Sequence, residues 1–117
     1  MKKSPLPYLK HILDEVNYLI SRTQSLKKER FAEGEDLQRA FVRSLEIMGE
    51  TAKKVPMDFR EKYNHVDWKG MAGMRDRRIH EYDTVDYEEV WNVVTEEVPL
   101  DKQQIEKIIA AKADSNE

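Results

Sequence analysis

Residues 75–82 form the stretch around which the rest of this chain is organised. They read Arg75-Asp76-Arg77-Arg78-Ile79-His80-Glu81-Tyr82. The arginines, the histidine and the tyrosine are side chains that phosphate chemistry uses. An arginine presents a fixed fork of N–H donors to a phosphate group, and a histidine transfers protons near neutral pH. A tyrosine adds a hydroxyl group that can donate, accept or be modified.

The spacing of Arg75 and His80 limits how the two side chains can work together. On one continuous helix, at about 100° per residue, they lie about 140° apart and do not share a face. A working site therefore needs either a helix end near His80 or a dimer interface at which a second chain supplies one of the two. A purely structural interpretation also stands, because cations near a helix C-terminus stabilise the last carbonyl groups.

Length and composition predict a single domain over residues 1–117, with a polar tail that frays at about 113–117. A chain of 117 residues can bury a core of its own. Apolar residues make up 39% of the chain and are spread along most of its length. The sequence has no cysteine, which excludes disulfides, zinc–thiolate sites and a cysteine nucleophile. The absence of cysteine fits the reducing cytoplasm, which is the expected location.

Charge and hydropathy limit the possible partners. No apolar run is long enough to span a membrane, and the basic N-terminus lacks the apolar core of a signal peptide. The net charge of -3 argues against a wholly basic nucleic-acid-binding surface. Contact with RNA would therefore be local. The candidate patch consists of Lys69, Arg75, Arg77 and Arg78, with Asp76 and Glu81 among them.

Hydrophobic periodicity predicts helices and no strand. A first amphipathic helix follows Ser4-Pro5 and ends near Arg22. A second runs from Leu37 to Pro56, which ends it. A short helical turn is expected from Met57 to Tyr63. Inside the second helix, Gly49 would allow a neighbouring helix to approach closely.

The second half of the chain continues this pattern. The helix that carries Arg75, called the motif helix here, is expected to begin after Asp67 and to place Tyr82 on its apolar stripe. A last helix is capped by Asp86, with Glu89 completing a capping box, and should kink at Pro99. These elements predict an all-α, up-and-down bundle of four to five helices. The aromatic and methionine residues around the motif helix suggest the hypothesis of a dimer that covers this surface.

Several classes of enzyme lack their motifs in this sequence. There is no His-Glu-x-x-His, no di-iron carboxylate pattern, no phosphate-binding glycine loop and no nucleophile elbow. We therefore expect no metal and no cofactor. Acid–base chemistry with guanidinium stabilisation remains, and RNA cleavage fits it because the 2′-hydroxyl is a nucleophile already present in the substrate.

The pattern Arg75-x4-His80-x-Tyr82 resembles the Arg-x(4–6)-His-x-Tyr signature of HepT-type toxins in the HEPN superfamily. Asp76 matches the polar residue that often follows that arginine. The capped helix with Val90-Trp91, and the order of the helices, are also similar to that family. The resemblance extends over essentially the whole chain.

The resemblance implies a HEPN-like homodimer that dimerises around the motif helix and cleaves RNA, such as tRNA or mRNA, without a metal. Arg75 and His80 would be the catalytic pair, with Asp76 and Tyr82 as supporting residues. A cognate minimal nucleotidyltransferase antitoxin would neutralise the toxin by transferring AMP to Tyr82. Further RNA contacts are expected from Lys69, Arg77 and Arg78.

Two other functions remain open. One is a non-catalytic dimeric module that binds a nucleotide or docks a nucleotidyltransferase. The other is a bundle that carries a phosphohistidine at His80, which would require that residue to be exposed in the middle of a helix.

Overall fold

The structure is a computed structural model that describes residues 4–114, and the side chains of residues 4–112. Most of the described chain is helical. The α-helices are α1 (Leu6–Thr23), α2 (Lys28–Glu33), α3 (Glu35–Ala52), α4 (Met57–Lys62), α5 (Arg75–Ile79), α6 (Tyr87–Asn92) and α7 (Val98–Asp114). Two π-helical segments, π1 (Gly70–Met74) and π2 (Val93–Glu97), lead directly into α5 and α7. Two short strands, β1 (His80–Glu81) and β2 (Thr84–Val85), form the one hairpin of the described chain.

Helix α1 packs against α3 and α7, and these three helices enclose most of the core. The apolar faces that periodicity predicted are buried, since Leu9 and Val16 on α1 and Phe41 on α3 are inaccessible to solvent. A short helix that the sequence did not predict, α2, buries Phe31 against Phe41 and Trp91, with ring centroids 5.0 and 5.3 Å away. The prediction of an all-α helical bundle is confirmed, but the expectation of no strand is wrong, because β1 and β2 pair in a short hairpin.

The motif helix consists of π1 followed by α5, and it is shorter than the periodicity predicted. The side chain of Asp67 caps it, accepting a hydrogen bond of 3.0 Å from the backbone N–H of Gly70. It ends at Ile79 because the chain turns into the β-hairpin, in which His80 pairs with Val85. The prediction that Tyr82 lies on the apolar stripe is therefore wrong: Tyr82 is 96% exposed.

The predicted capping box at Asp86 is confirmed, because its side chain accepts a hydrogen bond of 3.0 Å from the backbone N–H of Glu89. The helical path then continues through α6, π2 and α7. Pro99 lies near the start of α7 and lacks the N–H that an α-helix interior uses. The wider turn of π2 directly precedes it, and such π-bulges rotate the residues that follow around the helix axis.

Two sequence expectations concern the end of the chain and the membrane. The end of the predicted frayed tail, residues 115–117, lies outside the described part of the chain. Within that part, no helix combines the length and apolar character that crossing a bilayer requires.

Candidate active site at the end of the motif helix

The end of the motif helix positions His80. The residue has extended backbone, with φ -102° and ψ 118°, directly after the last helical residue. The carbonyl oxygen of Ile79 accepts a hydrogen bond of 2.6 Å from the backbone N–H of Asp86, which fixes where the hairpin leaves the helix. The spacing of Arg75 and His80 requires a helix end near His80 if both residues are to act within one chain. The structure contains such a helix end. This position differs from the middle of a helix, where a phosphorelay histidine is expected.

The imidazole of His80 is held by Asp76, one turn earlier in the chain. Its Nδ1 lies 3.0 Å from Asp76 Oδ1 and 3.1 Å from the Asp76 carbonyl oxygen. Both partners are acceptors, so Nδ1 carries the proton and the ring is oriented by a carboxylate. Nε2 has no hydrogen bond to any residue that the structure describes, and the side chain is 35% exposed. The ring can therefore exchange a proton with a bound molecule through Nε2.

Arg75 occupies a very different environment, because its side chain is only 5% exposed. Nη1 donates to Oδ2 of Asp101 at 2.6 Å, and Nη2 donates to Oδ1 of the same carboxylate at 2.9 Å. Nε donates to Glu97 Oε1 at 3.0 Å, and Asp67 Oδ2 lies 3.5 Å from Nη2. The guanidinium therefore binds acidic side chains of π2 and α7 within the bundle.

Arg78 extends this group of charges towards the surface. Its Nη2 donates to Glu89 Oε1 at 2.6 Å and also contacts Glu97 Oε2. These hydrogen bonds to Glu97 and Glu89 raise the pKa of Arg78. Glu97 thus bridges both arginines, and although burial works to raise its pKa, the hydrogen bond from Arg78 and the charge of Arg75 hold that pKa below its usual value.

Burial has the opposite outcome at Asp101. Desolvation raises the pKa of the Asp101 carboxyl above its usual value, against the hydrogen bonds and charge of Arg75. The pKa of Arg75 is itself raised, because the hydrogen bond and charge of Asp101 outweigh the desolvation that works to lower it. Arg75 is therefore charged at any working pH.

The remaining predicted site residues lie on the surface. Tyr82 stands at the tip of the hairpin with φ 56°, in the left-handed region. Arg77 and Lys69 are exposed, and neither makes an ion pair to any residue that the structure describes. Among the three cations predicted to contact RNA, Arg78 differs because its donors are engaged by Glu89 and Glu97.

A groove of about 190 Å³ runs along the motif helix on the side of α3. Its polar lining residues are Glu46, Glu50, Lys53, Arg75 and Asp76. The apolar floor includes Met48, Met71 and Ile79. Asp76 therefore lines this groove and also binds His80, whereas the His80 ring is not part of the lining.

The sequence interpretation missed Asp101 and Glu97 as partners of Arg75. A signal was present, because Asp101 interrupts an apolar series of core spacing that includes Val98 and Ile105. Arg75 interrupts the series from Met71 to Ile79 in the same way. Two opposite charges at core positions of two helices indicate a buried ion pair. Among the described residues, no three or more histidine, cysteine, aspartate or glutamate side chains are grouped so that they could hold a metal ion.

The fold and the site together define a small helical-bundle protein with a carboxylate-oriented histidine at a helix end. The chain belongs to the HepT-like family: the sequence model of the family, described as "Ribonuclease HepT-like", matches residues 12–108.

Individual relatives agree with this membership. The chain is 48% identical over 107 residues to a protein named "Putative RNase" from Caldanaerobacter subterraneus subsp. tengcongensis, covering 92% of this chain and 96% of that protein. It is 42% identical over 108 residues to a "Putative RNase" from Methanocaldococcus jannaschii, covering 92% and 89%. A "Probable ribonuclease HepT" from Thermococcus cleftensis is 36% identical over 108 residues, covering 92% and 98%. No solved structure matches the chain significantly.

Proposed function

We propose that this protein is a metal-independent endoribonuclease that acts in the cytoplasm as the toxin of a toxin–antitoxin pair. One observation carries the proposal: His80 is oriented by Asp76 through Nδ1 while Nε2 is free of partners in the described chain. That arrangement suits a group that moves protons. The family description and the names of the relatives, all of which refer to ribonucleases, support the choice of RNA as substrate.

The chemistry requires no group beyond the substrate and the protein. The 2′-hydroxyl of RNA attacks the adjacent phosphorus and loses its proton. The bond from phosphorus to the 5′-oxygen breaks, and that oxygen gains a proton. The products are a 2′,3′-cyclic phosphate and a free 5′-hydroxyl. His80 Nε2 would mediate one of these proton transfers, and a guanidinium would stabilise the charge on the phosphorane.

Arginine and lysine residues along the motif helix would hold the RNA backbone. Arg77 and Lys69 have cationic groups that form no ion pair within the described chain, whereas the guanidinium of Arg75, which also lines the groove, is held by Asp101 and Glu97. A homodimer with facing motif helices would bring two copies of these groups together. The exposure of Met74, 57% on the motif helix, supports an interface that covers this surface.

Neutralisation would occur at Tyr82. A cognate minimal nucleotidyltransferase would transfer AMP from ATP to the Tyr82 hydroxyl, which loses its proton as pyrophosphate leaves. The hairpin tip presents this hydroxyl to a partner enzyme, since the residue is 96% exposed. The bound AMP would add a bulky anion two residues from His80, where it opposes RNA binding by size and charge.

Cleavage of total tRNA and of a defined single-stranded RNA in EDTA tests this function. Wild-type protein, verified by intact mass to carry no AMP, is compared with His80→Ala. We expect cleavage by the wild type alone, with cyclic phosphate ends. Equal cleavage by both proteins, or no cleavage by either, would contradict the proposal.

A second candidate function is favoured by the environment of Arg75. Its N–H groups are directed at carboxylates, which leaves the guanidinium poorly placed to grip a phosphate. A non-catalytic module that binds a nucleotide or docks a nucleotidyltransferase would need no such grip. Thermal stabilisation by AMP or ATP, together with no RNA turnover, would identify this function.

A further inference from the structure

Two charged side chains are buried in the part of the chain that the structure describes, and they bind each other. Arg75 is 4% exposed and Asp101 is 1% exposed. Their two parallel hydrogen bonds, 2.6 and 2.9 Å long, form a bidentate pair. This geometry fixes the plane of the guanidinium as well as its position. Because Arg75 lies on α5 and Asp101 on α7, the pair joins the motif helix to a helix that is distant in the sequence. The two residues are 26 positions apart.

A gain in stability does not by itself explain why this ion pair is buried. Burying two charges removes both from water, and well-packed apolar residues of similar size commonly stabilise a core as well or better. A buried ion pair does, however, have one orientation in which its hydrogen bonds are made. Compared with an apolar contact, a buried ion pair therefore also fixes how far the helix that carries it is rotated about its axis and where that helix lies along the axis.

The helix concerned is the one that presents His80. Helix α5 has only five residues, and its buried side chains are Arg75 and Ile79. Asp76, which holds the imidazole of His80, directly follows Arg75. A rotation of Arg75 about the helix axis would thus displace the Asp76 carboxylate and the ring that it orients.

We propose that Asp101 is a positioning residue of the active site: by clamping the Arg75 guanidinium, it sets the orientation of the Asp76–His80 pair. Glu97, which bonds to Nε of Arg75, supports the same orientation from π2. The inference rests on the proposed ribonuclease function for its effect on rate. Its structural part, the dependence of the His80 ring on Asp101, can be measured without any activity.

The test compares Asp101→Asn with Glu106→Gln, an exposed carboxylate on the same helix. The first readout is the position of the His80 ring signals in NMR spectra at fixed pH. The second is kcat and KM for RNA cleavage. We expect Asp101→Asn to shift the ring signals and to lower kcat by about 100-fold with little change in KM, because small displacements of reacting groups carry costs of that size. Glu106→Gln should match the wild type in both.

The outcomes separate this inference from the proposed function. If the wild type does not cleave RNA, the proposed function fails, and the ring signals still decide whether Asp101 positions His80. A folded Asp101→Asn variant with wild-type ring signals overturns the inference. If that variant does not fold, Asp101→Glu, which keeps the charge but moves the carboxylate, is judged by the same two readouts. Loss of folding in both variants would show a structural role only and would also overturn the inference.

Discussion

A side-chain carbon at Gly49 would lie 2.5 Å from the carbonyl oxygen of Met71. Side-chain carbons do not approach backbone oxygens that closely, so only glycine permits this contact. Helix α3 therefore lies directly against π1, the segment that leads into Arg75. The sequence interpretation that Gly49 allows a neighbouring helix to approach closely is confirmed, and the neighbour is the motif helix.

Gly49→Ala is expected to destabilise the protein by about 1–3 kcal/mol, because the backbone of π1 has to move away. Urea unfolding measures the loss. Gly73→Ala is the matched control, since a side-chain carbon there meets nothing within 4 Å. In a helical position with open space, alanine should be neutral or gain up to about 1 kcal/mol. Equal effects at both glycines would contradict the close-approach argument.

Arg75→Ala is expected to cost about 3–5 kcal/mol of unfolding free energy, because it leaves Asp101 buried without its partner. The double variant Arg75→Met/Asp101→Leu should recover most of that loss, since it replaces the pair with apolar side chains. Urea unfolding of Arg75→Met, Asp101→Leu and the double variant forms a complete cycle. Additive losses would show that the two residues do not interact.

His80→Ala is expected to abolish RNA cleavage while changing stability by less than about 0.5 kcal/mol, because the side chain is partly exposed and follows the last helical residue. Cleavage assays and circular dichroism measure the two effects. His65→Ala is the matched control, since His65 is exposed outside the motif helix. Loss of helical signal in His80→Ala alone would indicate a structural role for this residue.

Tyr82→Asn is expected to raise stability by about 0.5–1 kcal/mol, because asparagine tolerates the left-handed backbone better than tyrosine does. The tyrosine ring is 96% exposed, so its removal should cost little packing. Thermal unfolding of the unmodified protein measures the change. Lower stability of the Tyr82→Asn variant would mean that the tyrosine ring stabilises the hairpin. A gain would show that the tyrosine does not stabilise the hairpin.

Tyr82→Phe is expected to resist AMP transfer by a cognate nucleotidyltransferase, because it removes only the acceptor oxygen. Intact mass spectrometry after incubation with ATP detects the added AMP. Tyr87→Phe is the matched control: this tyrosine is half-buried on α6 and should leave labelling unchanged. Full labelling of Tyr82→Phe together with loss in Tyr87→Phe would move the acceptor to Tyr87.

Much of the fold could be predicted because its signals are local. The apolar periodicity of α1 and α3 and the capping box at Asp86 depend on residues within a few turns of each other. The exit from the motif helix could not be predicted in this way. It depends on the contact between Ile79 and Asp86 and on the pairing of His80 with Val85, which compete with continued helix.

The same distinction between local signals and tertiary contacts applies to the candidate site. The sequence alone shows that Asp76 directly follows Arg75, that His80 lies four residues, about one helical turn, after Asp76, and that glycine occupies position 49. The packing of the helices determines that Arg75 binds Asp101 inside the bundle, whereas His80 binds Asp76 at the edge of the bundle. The physical reason is that the burial of a side chain depends on which helices pack against it. The π-helical segments before α5 and α7 add to this, because each rotates the residues that follow it away from the phase that α-helical periodicity predicts.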